Sequence, residues 1–328
     1  MSKKHSIKRR PWRDDDSIRE CIERGIKAVS PGWRRCVRAF VVWLRKDRGL
    51  ELSTIGHRVT SVSHFLDALD RTGGVRVLKS LNITDVEDFF IGYAKDHGAA
   101  ATRAMQAAMR QFLRFSASRG WVRHGLADSV PRLRSYRQSS VPCGFSNEFI
   151  CALVAASAKR SSRDHAIVLI LAIYGVRRGQ ISGLRFGDID WRKKRITFCP
   201  HKRGKAVQHE LVPAVAAALG TYLQKERPKV DEQTVFLRAR KPHLPLGPAA
   251  VREVIRRLIR RLDPACCRSG GAHAFRHAFA TRLLQNGQPL KVIADLLGHR
   301  SLGAASIYAK VDHPRLLEVA EEWPEVAS

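Results

Sequence analysis

Four separated pieces in the second half of the chain carry side chains that could do chemistry on a phosphate ester. In chain order they hold Arg177, Lys205, His273 with Arg276, and finally His299 followed by Tyr308. Arginine guanidinium groups bind phosphate oxygens through paired hydrogen bonds, histidine and lysine move protons, and a deprotonated tyrosine is a nucleophile. His273 and Arg276 stand three residues apart, so a helix would carry both on one face.

The charge of the chain points to a polyanion as the partner. Lys and Arg number 59 against 30 Asp and Glu, which gives a formal net charge of +29. Such a charge repels itself in the compact state unless a polyanion neutralises it. Nucleic acid is therefore the first partner to consider, and a soluble basic protein without a ligand is the alternative.

The order and the local context of these residues resemble the tyrosine recombinase, or phage integrase, family. That family carries an arginine in a Gly-x-Arg turn, a hairpin lysine, a His-x-x-Arg helix, a histidine in Leu-Gly-His, and a tyrosine shortly downstream. The matching positions are Arg177, Lys205, His273 with Arg276, His299, and Tyr308. His-x-x-Arg alone would be a weak signal, but all of these pieces in order over about 130 residues make a specific one.

The resemblance implies a role for each residue. Tyr308 would attack a DNA phosphate and form a 3′-phosphotyrosine, which conserves the ester energy, so neither a metal nor another cofactor is required. An ordinary phenol has a pKa of about 10 and needs help to react at neutral pH. Arg177 and Arg276 would bind the non-bridging oxygens. His273 would assist proton removal from Tyr308, and His299 would donate a hydrogen bond to the phosphate.

Two positions depart from the family pattern or leave it open. The family commonly has an acidic residue three after the first arginine, where this chain has Gln180. Its loss is expected to weaken a supporting contact rather than the mechanism. The lysine that would protonate the leaving 5′ oxygen is either Lys202 or Lys205, because both lie in one loop. The usual family interval, eight residues before a proline that is here Pro213, favours Lys205.

The first domain is expected over residues 14–138, after a basic tail at 1–13. From Trp33 to Arg48 the apolar residues recur at helical spacing, which predicts a helix. Thr84 and Glu87 match a capping box and predict the start of a further helix. By the resemblance, this part is the helical core-binding domain, which contacts DNA.

Six arginines in and after the first domain are candidate DNA contacts: Arg103, Arg110, Arg114, Arg132, Arg134 and Arg137. The first three lie on one helix apart from its apolar stripe, a position that faces either DNA or solvent. The other three lie between Val130 and Pro142, where prolines at both ends and the lack of apolar periodicity predict an extended linker. An extended basic segment suits contacts along a phosphate backbone.

The second domain, expected over residues 142–328, is predicted to be mostly helical and, by the resemblance, to be the catalytic domain. Short runs joined by basic turns predict three strands, at 189–191, 195–199 and 207–212. Pro213 ends the sheet. Helices are predicted at 214–225, 248–262, 274–285 and 289–297, with one more carrying Tyr308.

Cysteine usage and hydropathy indicate a cytoplasmic protein without a metal site. The seven cysteines show no CxxC spacing, and Cys266 and Cys267 are adjacent, which suits a tetrahedral metal poorly. They are predicted to be reduced thiols. No apolar run approaches the ~20 residues of a membrane span, so no membrane contact is expected. The N-terminus lacks the apolar segment of a signal peptide.

The predicted fold is mainly α with a small three-stranded antiparallel sheet, in two domains that form a C-shaped clamp around double-stranded DNA. The predicted function is site-specific cleavage and rejoining of DNA for a mobile element, by a homotetramer on paired sites. A type IB topoisomerase shares this chemistry but relaxes a single duplex. A non-catalytic DNA-binding accessory protein is the other alternative. The tail at 309–328 would dock on a neighbouring protomer or pack on its own core.

Overall fold

The structure is a computed structural model that describes residues 15–69, 74–133, 144–200, 205–263 and 271–298, with side chains from residue 18 onwards. The chain forms two compact units, Met1–Tyr136 and Arg137–Ser328. The predicted basic tail at 1–13, most of the predicted linker, and the predicted helix that carries Tyr308 lie outside the described residues.

The first unit is helical throughout its described part. Its helices are α1 (Asp15–Ala28), α2 (Pro31–Lys46), α3 (Leu52–Leu69), α4 (Val75–Ser80), α5 (Ile83–Asp96) and α6 (Ala99–Ser118), followed by a 3-10 turn at Leu126–Asp128. Phe40 of α2 packs edge-on against Phe112 of α6, with ring centroids 5.3 Å apart. Both side chains are fully buried, so apolar burial holds these helices together.

The predicted capping box at Thr84 was wrong by two residues. The Oδ1 atom of Asn82 accepts a hydrogen bond from the backbone N–H of Asp85 at 3.0 Å. In return, the Asp85 carboxylate accepts from the Asn82 N–H at 2.9 Å. Asparagine caps a helix as well as threonine does, and a short acid at the third helical position can complete the box. Helix α5 therefore begins at Ile83.

The second unit combines helices with one small sheet. Its helices are α7 (Asn147–Ala158), α8 (Ser162–Tyr174), α9 (Arg178–Ser182), α10 (Pro213–Thr221), α11 (Pro248–Leu262), α12 (Ala272–Gln285) and α13 (Leu290–Leu296). A 3-10 turn covers Phe186–Asp188, and a π-helical turn covers Tyr222–Glu226. The strands are β1 (Ile189–Asp190), β2 (Arg195–Phe198) and β3 (Val207–Glu210), paired antiparallel in the order β1-β2-β3.

Helix α8 forms the centre of the second unit. Its residues from Ala166 to Leu171 are all buried, in accordance with the apolar run of the sequence. The hydroxyl of Tyr174, at its end, donates to the carbonyl oxygen of Glu210 at 2.8 Å and accepts from the N–H of Val212 at 3.1 Å. These bonds tie the end of β3 to α8. Strand β3 is shorter than predicted because Val212 bonds to a side chain instead of a neighbouring strand.

The predicted fold class, mainly α with a three-stranded antiparallel sheet, is confirmed. Within the described ranges, no helix is both long and apolar enough to cross a bilayer. Among the same residues, no cluster of His, Cys, Asp and Glu side chains has an arrangement suited to a metal ion.

Candidate active site

The Arg177 turn is fixed by a glycine that a larger residue could not replace. Gly175 ends α8 in the left-handed conformation, with φ of 58°, and its N–H donates to the Leu171 carbonyl at 3.0 Å. A β-carbon at this position would lie 2.8 Å from the ring of Phe279 on α12. Arg177 follows in extended conformation directly before α9, and its side chain is exposed. The turn therefore presents a guanidinium group to solvent, where a DNA phosphate could reach it.

Arg276 joins three segments that are distant in the chain. Its side chain projects from α12 and is 4% exposed. One terminal nitrogen, NH1, donates to the Gly175 carbonyl at 3.2 Å, and the other, NH2, donates to the Leu297 carbonyl at 2.7 Å. A buried guanidinium needs such partners, because an unsatisfied charge in the interior is strongly unfavourable. The Arg177 turn, α12 and the end of α13 are therefore held together at this residue.

Gly298, the residue before His299, lies against the hairpin that carries Lys205. Gly298 has φ of 61°, and a β-carbon there would lie 2.8 Å from Cγ2 of Val207 and 3.6 Å from the carbonyl oxygen of Lys205. The glycine thus permits a close approach between the end of α13 and strand β3. The Lys205 side chain is exposed. Lys202, His299 and Tyr308 lie outside the described residues.

His273 stands in a positively charged environment near the first two segments. Partial burial lowers its pKa, and the positive charges of Arg276, Arg178 and Arg177 lower it further. The imidazole is therefore neutral at pH 7, which is the form able to accept a proton. Arg178 was not singled out from the sequence, although its position next to Arg177 could have indicated it.

His277 lies one helical turn beyond His273 on α12. The two ring centroids are 6.4 Å apart. Burial is the largest cause that lowers the pKa of His277, followed by the charge that His273 carries when protonated and by the charge of Arg276. Burial and the charge of Arg276 thus act on both histidines of α12.

His209 is a site-adjacent residue that sequence reasoning missed. Its ring packs against those of Tyr174 and Phe198, at centroid distances of 5.1 Å and 5.8 Å. Burial lowers its pKa, and the nearby backbone of Leu296 opposes that effect. His209 therefore lies close to the end of α13. Alternation along β3 puts residues 207 and 209 on one face, and this pattern could have indicated His209.

The position that departs from the family pattern is filled by a buried amide. Gln180 is 4% exposed. Its Oε1 atom accepts from the backbone N–H of Arg177 at 2.9 Å, and its Nε2 atom donates to the Phe198 carbonyl at 3.5 Å. The supporting contact expected of an acid at this position is thus supplied by glutamine, together with a donated bond that a carboxylate lacks.

The candidate DNA-binding arginines of the first unit occupy different surroundings. Arg110 is partly buried and donates to the carbonyl oxygens of Val130 and Pro131, at 3.1 Å and 2.7 Å. Burial is the main cause that lowers its pKa, followed by the charges of Arg132 and Arg114, while Asp128 opposes the shift. These groups therefore form one basic cluster.

The other candidate arginines differ in exposure, and two of them lie outside the described residues. Arg114 is exposed and lies 3.8 Å from Asp128, whereas Arg103 is partly buried. Arg132 is exposed. Arg134 and Arg137 lie outside the described residues.

Comparison with known proteins identifies the family. The phage integrase family model matches residues 146–315. The putative integrase/recombinase y4rA of Sinorhizobium fredii is 32% identical over 296 residues, which cover 88% of this chain and 70% of that protein. The tyrosine recombinase XerC of Oceanobacillus iheyensis is 26% identical over 296 residues, covering 86% of this chain and 93% of that protein.

Solved structures share the fold. A lambda integrase tetramer bound to a Holliday junction matches with a TM-score of 0.65 and 15% identity, over 91% of this chain and 81% of that one. The family model and the relatives together define a class of enzymes that cleave and rejoin DNA. The chain belongs to the phage integrase family of tyrosine recombinases.

The lowered histidine pKa values predict acid destabilisation. The folded pKa lies below the ordinary value of 6.5 for His165, His209, His273 and His277. Below about pH 6.5 the unfolded chain therefore binds more protons than the folded chain. The free energy of unfolding should fall as the pH drops from about 6.5 towards the folded pKa values. Urea denaturation between about pH 5 and 8 measures this.

A matched pair of variants assigns the effect to histidines with a lowered pKa. His209→Gln should flatten the pH dependence of stability, because it removes one of the groups. The exposed His57 serves as the control, since His57→Gln should leave the slope unchanged. Stability that stays constant or rises on acidification would contradict the prediction.

Proposed function

We propose that this recombinase cleaves and rejoins DNA at specific sites through a covalent 3′-phosphotyrosine on Tyr308. The observation that carries the proposal is the double hydrogen bond of Arg276 to Gly175 and Leu297. It brings together the Gly-x-Arg turn, the His-x-x-Arg helix and the segment that leads to His299. These are the pieces that the reaction needs around one phosphate.

The proposed step exchanges one phosphate ester for another. The phenolic oxygen of Tyr308 loses its proton with the help of His273 and forms a bond to phosphorus. The bond between phosphorus and the 5′ oxygen breaks, and that oxygen takes a proton from a lysine. Arg177, Arg276 and His299 stabilise the negative charge on the non-bridging oxygens. Attack by a 5′ hydroxyl reverses the step and rejoins the strand.

The environment of His273 supports its role in proton removal. The side chain has a lowered pKa because of partial burial and the nearby Arg276, Arg178 and Arg177. A neutral imidazole beside guanidinium groups can accept the phenol proton while those groups bind the phosphate. The positive charges also favour the phenolate form of an approaching tyrosine.

Two findings favour Lys205 over Lys202 as the proton donor. The Lys205 carbonyl lies beside Gly298, the residue before His299. Lys205 also lies two residues before strand β3, which pairs with β2 over its whole length. Backbone close to a paired strand is restrained by that pairing, which would help to hold Lys205 in place.

We further propose a homotetramer that acts on paired DNA sites of a mobile element, in the cytoplasm. The support comes from relatives: a lambda integrase is a tetramer on a Holliday junction, and y4rA is named a putative integrase/recombinase. Docking of the 309–328 tail on a neighbouring protomer belongs to this proposal. Supercoil relaxation without sequence preference would favour the topoisomerase alternative instead.

DNA affinity is proposed to come mainly from phosphate contacts, to both units. The cluster of Arg110, Arg114 and Arg132 supports this, because its like charges repel and the phosphate backbone would relieve the repulsion. Arg110 has a second role, since it holds the carbonyls of Val130 and Pro131 where the chain leaves the first unit. Arg103, Arg134 and Arg137 are proposed to extend the same contacts.

The covalent step is tested with a nicked suicide DNA substrate that traps the cleaved complex. Wild-type protein should form a covalent adduct, and Tyr308→Phe should form none, because phenylalanine has no nucleophilic oxygen. Tyr93→Phe, in the first unit, is the control and should retain the wild-type yield. The mechanism is wrong if the wild type forms no adduct or if Tyr308→Phe still forms one.

A sulfur substitution identifies the proton donor. Lys205→Ala should slow cleavage by roughly 100-fold, within the range of general acid catalysis. With sulfur in place of the leaving 5′ oxygen, the rate of this variant should return to that of the wild type, because a thiolate leaves without a proton. Lys202→Ala should change neither rate substantially. The opposite pattern would assign the donor role to Lys202.

Salt dependence measures the phosphate contacts. With about eight phosphates neutralised, log Kd should change with log salt by a slope of magnitude ~7. Arg132→Ala should weaken binding to all sequences alike and reduce the slope by about 1. Arg132→Lys keeps the charge and should keep the slope. An unchanged slope for Arg132→Ala would remove this residue from the interface.

A further inference from the structure

Gln180 connects the Arg177 turn to the sheet through both ends of its amide. The side chain is 4% exposed. The Oε1 atom faces the N–H of Arg177 at 2.9 Å, and the Nε2 atom faces the carbonyl oxygen of Phe198 at 3.5 Å. The reverse orientation of the amide would point a donor at a donor and an acceptor at an acceptor. One acceptor and one donor are therefore required here.

The two groups that Gln180 contacts belong to different parts of the candidate active site. Arg177 carries a guanidinium group proposed to bind the phosphate. Phe198 is the last residue of β2 and pairs with Val207 of β3. Lys205 stands two residues before Val207 on the same chain. A single buried side chain thus spans the distance between the backbone of one proposed catalytic residue and the hairpin that carries the other.

A carboxylate could make only one of these contacts. Ionised glutamate accepts hydrogen bonds and donates none, so it could accept from Arg177 but would repel the Phe198 carbonyl. Only the protonated acid has a donor for that carbonyl. Burial and the facing carbonyl oxygen would both favour the protonated form of a glutamate at this position.

We propose that Gln180 is a positioning residue that couples the Arg177 turn to the Lys205 hairpin, and that a carboxylate replaces its amide only when protonated. The effect on cleavage rests on the proposed function, because it assumes that Arg177 and Lys205 act on one phosphate. The coupling of the two backbone segments does not depend on that assumption.

The pH dependence of cleavage tests the coupling in the full-length protein. Rates on the nicked suicide substrate are compared with the wild type from about pH 6 to 8.5. Gln180→Glu should be roughly 5- to 100-fold slower than the wild type at the highest pH, as expected for a lost buried hydrogen bond, and should approach the wild-type rate at the lowest. Gln180→Met, which has neither donor nor acceptor amide, should be slow at every pH.

A control variant with the same glutamine-to-glutamate change separates the loss of the Gln180 hydrogen bonds from the effect of an added negative charge. Gln208 lies on β3 of the same hairpin, is exposed, and accepts a hydrogen bond from Arg195. Gln208→Glu should follow the wild-type pH profile. Wild-type rates and profile for Gln180→Glu, or wild-type rates for Gln180→Met, would overturn the proposal.

Hydrogen exchange provides a measurement that does not depend on activity. In Gln180→Met, the peptide containing Arg177 and the peptide containing Phe198 should both exchange their amide hydrogens faster than in the wild type. Unchanged exchange in either peptide would show that the side chain does not couple the two segments. If the wild type forms no DNA adduct, the proposed function fails, and the exchange result still decides the role of Gln180.

Discussion

The side chain of Arg276 places a full positive charge inside the second unit, and the surrounding backbone satisfies it. Its terminal nitrogens bond to the carbonyl oxygens of Gly175 and Leu297. Because a buried charge without hydrogen bonds is strongly unfavourable, those carbonyls must remain in contact with it. The arrangement orients the turn before Arg177 and the segment before His299 around one cation.

Close backbone packing makes this arrangement possible and influences the proton equilibria. Gly175 approaches the ring of Phe279, and Gly298 approaches Val207, each at a distance that leaves no space for a β-carbon. Partial burial is also the largest cause that lowers the pKa of His209 and of His273, and the arginines near His273 lower its pKa further. Both imidazoles are therefore neutral at pH 7.

Local sequence patterns predicted the elements better than their ends. The observed bounds of α11 agree with the predicted helix at 248–262, because Pro248 starts an amphipathic run that continues to Leu262. The start of α5 was misplaced, since the asparagine at position 82 competes with the nearby threonine as a cap. The third strand was predicted too long. The N–H of Val212 donates to the hydroxyl of Tyr174 on α8, a distant residue that the local strand pattern does not reveal.

The sequence by itself determined the family, the order of the chemical groups and the strongly basic charge, because all three are properties of residue type and spacing along the chain. Tertiary structure alone decided which groups meet. Arg276 contacts a carbonyl 101 residues away, and Gln180 bonds to a strand end 18 residues further on. His209 becomes part of the surroundings of α13 only through the folding of the sheet. Such contacts depend on how distant segments pack, and local spacing carries no record of that packing.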